Sequence, residues 1–86
     1  MKTFLLRISS PEGDIFCGNV TKLILRGSEG DLAVLAGHVP FVTAVMPCVC
    51  RIELEDGTEK RAKTETGLLN VASEKVSLLS GTFEWL

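Results

Sequence analysis

The sequence predicts an all-β fold, an antiparallel sandwich or barrel with no substantial helix. Three observations carry this expectation. No stretch of ten or more residues repeats its apolar positions at the helical period of about 3.6. Short runs instead alternate apolar and polar side chains, the mark of half-buried strands. Turn-forming clusters of Gly, Pro, Asp, Asn and Ser separate them at intervals of about eight to twelve residues, the rhythm of sandwiches and barrels.

The elements follow in order. Thr3–Ile8 alternates, with Phe4, Leu6 and Ile8 on one face. Ser9-Ser10-Pro11-Glu12-Gly13-Asp14 is dense in turn formers. Ile15-Phe16-Cys17 reads as a short apolar run ending at Gly18. Val20–Arg26 reads as a second strand, with Thr21, Leu23 and Leu25 inward and Val20, Lys22, Ile24 and Arg26 on a partly exposed face. Gly27 and Gly30 bracket the turn Ser28-Glu29, and Asp31 leads into the run Leu32–Leu35. Gly37, His38 and Pro40 make an irregular loop before the strand Phe41–Val45. After Met46-Pro47, Cys48–Leu54 alternates most cleanly, with Cys48, Cys50, Ile52 and Leu54 on one side. Asp56-Gly57 is a strong hairpin signal. Glu59–Thr66 is polar apart from Ala62 and suits an edge strand, where charge discourages aggregation. Leu68–Val71 and Val76–Leu79 are the last aliphatic strands, and Gly81–Trp85 closes the chain.

Length and composition narrow the function classes. A chain of 86 residues is expected to form one domain over 1–86, with a core of modest size. Hydrophobic residues make up 45% and charged residues 23%, a globular balance. A net charge of −2, with Lys and Arg scattered, argues against nucleic-acid binding. No apolar run approaches the roughly 20 residues that span a bilayer, so direct membrane insertion is not expected. Met1-Lys2 leads straight into a strand pattern without a signal peptide, and three cysteines suit a reducing compartment. A cytoplasmic setting follows as an expectation, with any membrane association supplied by a partner.

The segment Gly-Ser-Glu-Gly-Asp-Leu-Ala-Val-Leu-Ala-Gly-His-Val-Pro-Phe-Val-Thr, residues 27 to 43, resembles the signature of the epsilon subunit of F-type ATP synthases, called delta in mitochondria. Ala33 stands where glycine is usual, and Ala36 where proline is usual. The polar Glu59–Thr66 departs from an aliphatic strand in that family. The resemblance implies a flattened antiparallel sandwich of about ten short strands. It implies a non-catalytic rotor subunit of a proton- or sodium-translocating synthase, coupling gamma to the c ring at the cytoplasmic face of the membrane. It places Ser10, His38, Pro40 and Thr43 against gamma, and Glu29, Gly30 and Asp31 against the polar loops of the c ring. The family continues into a helical hairpin that inhibits hydrolysis and in some members binds ATP. That hairpin would begin where Leu86 stands, so neither property carries over.

Plainer readings stand beside these. His38 is a catalytic candidate without a nearby nucleophile, or a ring held by its own loop backbone. Cys48-x-Cys50 with Cys17 and His38 suggests zinc, but zinc pairs are spaced by about two to four residues. Cysteines two apart in a strand share a face with Ile52 and Leu54 and suit a core. Glu29 and Asp31 suit acid–base chemistry or a solvated turn. Trp85 and Phe83, with Met1–Thr3, suit an exposed patch or a tail tucked over the sheet. No phosphate loop, nucleophile elbow or zincin motif occurs. No metal and no cofactor is expected. The alternatives are an epsilon-like module recruited to another complex, or a small metal-binding or enzymatic β-domain using His38 and the cysteines.

Overall fold

The long strand β2 organises the fold. The computed structural model describes residues 2–86, and these form nine strands and no helix. The strands are β1 (Phe4–Ser10), β2 (Gly13–Gly27), β3 (Gly30–Leu35), β4 (Phe41–Val45), β5 (Cys48–Leu54), β6 (Glu59–Thr64), β7 (Gly67–Val71), β8 (Lys75–Ser80) and β9 (Phe83–Trp85). The expected run at Ile15–Cys17 and the expected strand Val20–Arg26 are one element of 15 residues. Gly18 does not break it, because it sits in extended backbone opposite Leu6.

One edge of β2 carries β1 along Gly13–Val20 and then β3 along Lys22–Gly27. The opposite edge carries β5 along Val20–Ile24 and meets β4 at Gly27↔Val45. Two layers follow, with β2 shared between them. One runs β2-β1-β8-β7-β4 and the other β3-β2-β5-β6-β9. Counting β2 once in each layer makes ten strand segments, in line with the expected sandwich. One pairing is parallel, β1 with β8, and the rest are antiparallel.

Where β2 passes between layers, its register against β5 slips between Val20 and Lys22. Such an irregularity resets the alternation of side chains. Val20 and Thr21 are consequently both buried, which corrects the expected placement of Val20 on the partly exposed face. The inward faces expected for β1 and β5 are the observed ones: Phe4, Leu6, Ile8, Cys50 and Ile52 are buried, and Cys48 and Leu54 pack at the margin. Leu69, Val71, Val76 and Leu78 fill the core from β7 and β8, and Leu23, Leu25 and Val34 from β2 and β3. Each large aliphatic side chain buried this way stabilises the fold by about 1.5–3 kcal/mol.

The polar strand β6 is not the outermost strand. It lies between β5 and the three-residue β9. It turns inward only Ala62 and Thr64. The Thr64 hydroxyl lies 2.7 Å from that of Ser80, and Ser80 donates to the Thr82 carbonyl at 2.7 Å. A buried hydroxyl is tolerated because its hydrogen bonds are made. At Gly67 the chain passes so close to β8 that an added Cβ would run into the Leu79 carbonyl. Trp85 lies edge-on to Phe83 and Phe16, with Lys60 Nζ 4.9 Å from its ring, and is still 38% exposed. Met1 of the expected terminal patch lies outside the described residues.

Candidate subunit-docking site

The segment from Gly27 to Thr43 has two projecting corners. The first is the β2–β3 turn. Gly27 pairs with Gly30 across Ser28-Glu29, and Gly30 takes a φ of +122°, a conformation that side chains rarely adopt. The Ser28 N–H donates to the Ala44 carbonyl at 3.1 Å, which fastens the turn to β4. Asp31 faces Arg26 across the ladder, and its Oδ1 accepts from Arg26 Nε at 2.9 Å. That hydrogen bond, and then the charge behind it, raises the Arg26 guanidinium above its ordinary pKa. Glu29 and Asp31 are both exposed.

The second corner is the β3–β4 loop. His38 and Pro40 are exposed. The His38 Nδ1–H donates to the Val39 carbonyl at 2.9 Å, and the ring stands 5.0 Å from that of Phe41. The ring is therefore held by its loop and still open to solvent.

Thr43 and Ser10 are placed differently from these corners. Thr43 is half-buried and alternates with Val42 and Ala44, on the side of β4 that carries buried Val45. Its hydroxyl donates to the Ala44 carbonyl. The Ser10 hydroxyl accepts from the Glu12 N–H at 3.2 Å and stays within the β1–β2 turn. Ser10 ends β1 while Pro40 precedes β4, so the register sets them at opposite corners of one layer, not together.

Between those corners lies a feature that the sequence reading missed. Across β1, β8, β7 and β4 the register aligns Ser9, Leu79, Leu68 and Ala44, all on the outward face. Val42 lies one row along on the same face. Val42, Leu68 and Leu79 are 62%, 47% and 49% exposed. The signal was present in the pairs Leu68-Leu69 and Leu78-Leu79. Neighbours in a strand point to opposite faces, so each pair leaves one leucine outside.

The chain matches the family model for the ATP synthase delta/epsilon chain beta-sandwich domain over residues 3–86. The chain belongs to that family. A relative from Clostridium perfringens, an ATP synthase epsilon chain, is 35% identical over 85 residues, covering 99% of this chain and 64% of the relative. An ATP synthase epsilon chain of Acinetobacter baylyi is 38% identical over 82 residues, covering 95% of this chain and 59% of its own length. The chain thus spans less than two thirds of these relatives. A chain in a cryo-EM structure of the Euglena gracilis mitochondrial ATP synthase (OSCP/F1/c-ring) shares the fold. Its TM-score is 0.91 at 22% identity, covering 96% of this chain and 53% of that one.

The cysteines are separated by their surroundings. Cys50 is buried beside Ile52, and burial pushes its thiol up from 9.0 to about 11. Cys48 is half-buried, its Sγ accepting from the Arg26 N–H, and Cys17 is exposed. Among the described residues, no group of three or more His, Cys, Asp or Glu side chains converges.

Proposed function

We propose that this chain is the sandwich part of a non-catalytic central-stalk subunit of an F-type ATP synthase, joining gamma to the c ring while ion flow turns the ring. The outward apolar row Ala44–Leu68–Leu79, with Val42 beside it, carries the reading. Contiguous apolar surface on a soluble domain marks an interaction site. In a central stalk, gamma covers it. His38 and Pro40, exposed at the corner where β4 begins, extend the same contact. Thr43 supports it from beneath, and Ser10 borders it at the far end of β1.

The turn carrying Glu29, Gly30 and Asp31 offers exposed carboxylates to the basic and amide groups of c-ring loops. Exposed pairs are worth about 0–1 kcal/mol each, so this contact sets orientation more than affinity. The work is mechanical: a close-packed core resists deformation and passes torque. The subunit then rides at the cytoplasmic face of the membrane through its partners.

Affinity purification of the tagged chain from membranes tests this. The unsubstituted chain is expected to recover gamma and the c ring. Leu68→Glu is expected to lose gamma while the chain keeps its fold. Recovery of neither subunit by the unsubstituted chain overturns the reading and favours an epsilon-like module of another complex.

A further inference from the structure

The two layers leave two seams where their outer strands meet, and the seams are finished differently. At one, β9 comes beside the first half of β2, and side chains fill the gap: Trp85 stands edge-on to Phe16 at 6.0 Å and to Phe83 at 5.1 Å. At the other, β3 ends one layer and β4 ends the other, and no ladder joins them among the described residues. What separates them is a groove of about 300 Å³. Gly30 and Leu32 bound it on the β3 side, and Phe41, Val42 and Thr43 on the β4 side. Leu32 and Phe41 are half-buried there, at the margin of the core.

The main chain along this groove has an unused edge. One side of β3 is paired with β2. On the other, among the described residues, only the Leu35 carbonyl is engaged, by the His38 N–H at 3.2 Å. Proteins guard open edges with lysine, proline, a bulge or extreme shortness. β9 is three residues long. β4 is flanked by Pro40 and Pro47, and its Ala44 carbonyl is taken by the Ser28 N–H. β3 has no such guard. It runs six residues without lysine, proline or a register shift, and its charged side chain, Asp31, is held by Arg26.

We infer that the β3–β4 groove takes an extended segment of gamma, which adds a strand to the free edge of β3; this rests on the proposed gamma contact. Val42 belongs both to the outward apolar row and to the groove. A subunit lying on Leu68 and Leu79 therefore reaches the lip of the groove without a gap. A row of backbone donors and acceptors is met by another strand, and alternate side chains then supply selectivity. The segment matches the six residues of β3 and carries apolar side chains at every second position, to cover Leu32 and Phe41. A helix laid in the groove would leave the β3 groups unpaired.

Amide hydrogen exchange of the chain in the assembled synthase, compared with the chain alone, tests the inference. Alternate amides of Gly30–Leu35 are expected to slow about tenfold or more on assembly. Leu32 and Ala33 are neighbours, so they turn their N–H groups to opposite edges. Proline at one of them takes a donor from the β2 ladder, and proline at the other takes a donor from the open edge alone. Of Leu32→Pro and Ala33→Pro, the variant with the smaller loss of Tm is expected to bind gamma about three- to tenfold more weakly. If neither folds, exchange decides. Gamma recovered by the unsubstituted chain and lost with Leu68→Glu, with β3 unprotected, overturns the inference and leaves the gamma contact standing. Undiminished gamma binding by the folded proline variant does the same. Protection of β3 that rises with the concentration of the isolated chain overturns it in favour of a second copy at that edge. Failure of the unsubstituted chain to recover gamma overturns both.

Discussion

The two layers share one core and differ on their outer faces. On the β1-β8-β7-β4 side, the outward face carries Leu79, Leu68, Ala44 and Val42 on β8, β7 and β4, and Arg7 on β1 is engaged by Asp14. On the β3-β2-β5-β6 side, charge dominates, and the central row places two arginines together. Both faces obey the same period of two, so the fold does not require either composition. Inward positions are fixed by packing, whereas outward positions are free to be set by whatever covers them. An apolar row suits a broad, dry contact, whereas a mixed-charge face suits solvent.

The largest expected effect separates the inward from the outward side of one strand. Leu69→Ala removes a fully buried side chain and is expected to cost about 2–5 kcal/mol. Leu68→Ala, its outward neighbour, is expected to stay within about 1 kcal/mol, in the range of surface changes. Denaturant unfolding of both variants checks the contrast, and equal losses would break it.

Next comes the core beneath the charged face. The Cys50 thiol is held neutral by burial, so the folded state keeps its proton to about 11 while the unfolded chain loses it near 9.0. This contribution is whole below pH 9 and fades as pH rises towards 11. The full difference is up to about 3 kcal/mol, at 1.36 kcal/mol per pKa unit. Cys50→Ala is expected to flatten that part of the alkaline stability curve. Iodoacetamide under native conditions is expected to modify Cys17 first, Cys48 more slowly and Cys50 only on unfolding.

A smaller effect is expected at the seam of β7 and β8. Gly67→Ala sets a methyl against the Leu79 carbonyl and is expected to cost about 1–3 kcal/mol, as overpacking does. It shifts the strand edge that presents Leu68 and Leu79, so gamma recovery should fall with it. The smallest effect is at Arg26 and Asp31. Arg26→Ala is expected to change stability by less than about 1 kcal/mol, because the pair is exposed. A larger loss would mean that the pair holds the β2–β3 turn in place.

Much of the fold was legible wherever alternation is local. Phe4, Leu6, Ile8, Cys50 and Ile52 declare their inward side by spacing alone. The parallel pairing of β1 with β8 was not legible, because periodicity within a strand says nothing of its neighbours. Val20 was misread since a register slip is a property of two strands, and it undoes the alternation of one. Gly18 looked like a terminator because a glycine that continues a strand and one that ends it look alike in sequence. At the candidate site, the exposure of Glu29, Asp31, His38 and Pro40 followed from turn chemistry. The face between the corners did not, since Val42, Leu68 and Leu79 are far apart in sequence and meet only through three ladders. Thr43 shows the same limit: its side of β4 is decided by Val45 and the core.

The fifteen-residue β2 has one more consequence. Where two sheets merely pack face to face, a tangential load is resisted by interdigitated side chains that can slip past one another. Here a covalent backbone crosses from sheet to sheet near Val20–Lys22. Sliding one sheet along the other would have to stretch bonds or peel a ladder from its end. A push delivered to the apolar sheet therefore reaches the charged sheet through main chain as well as through contact, and the two move as one lever.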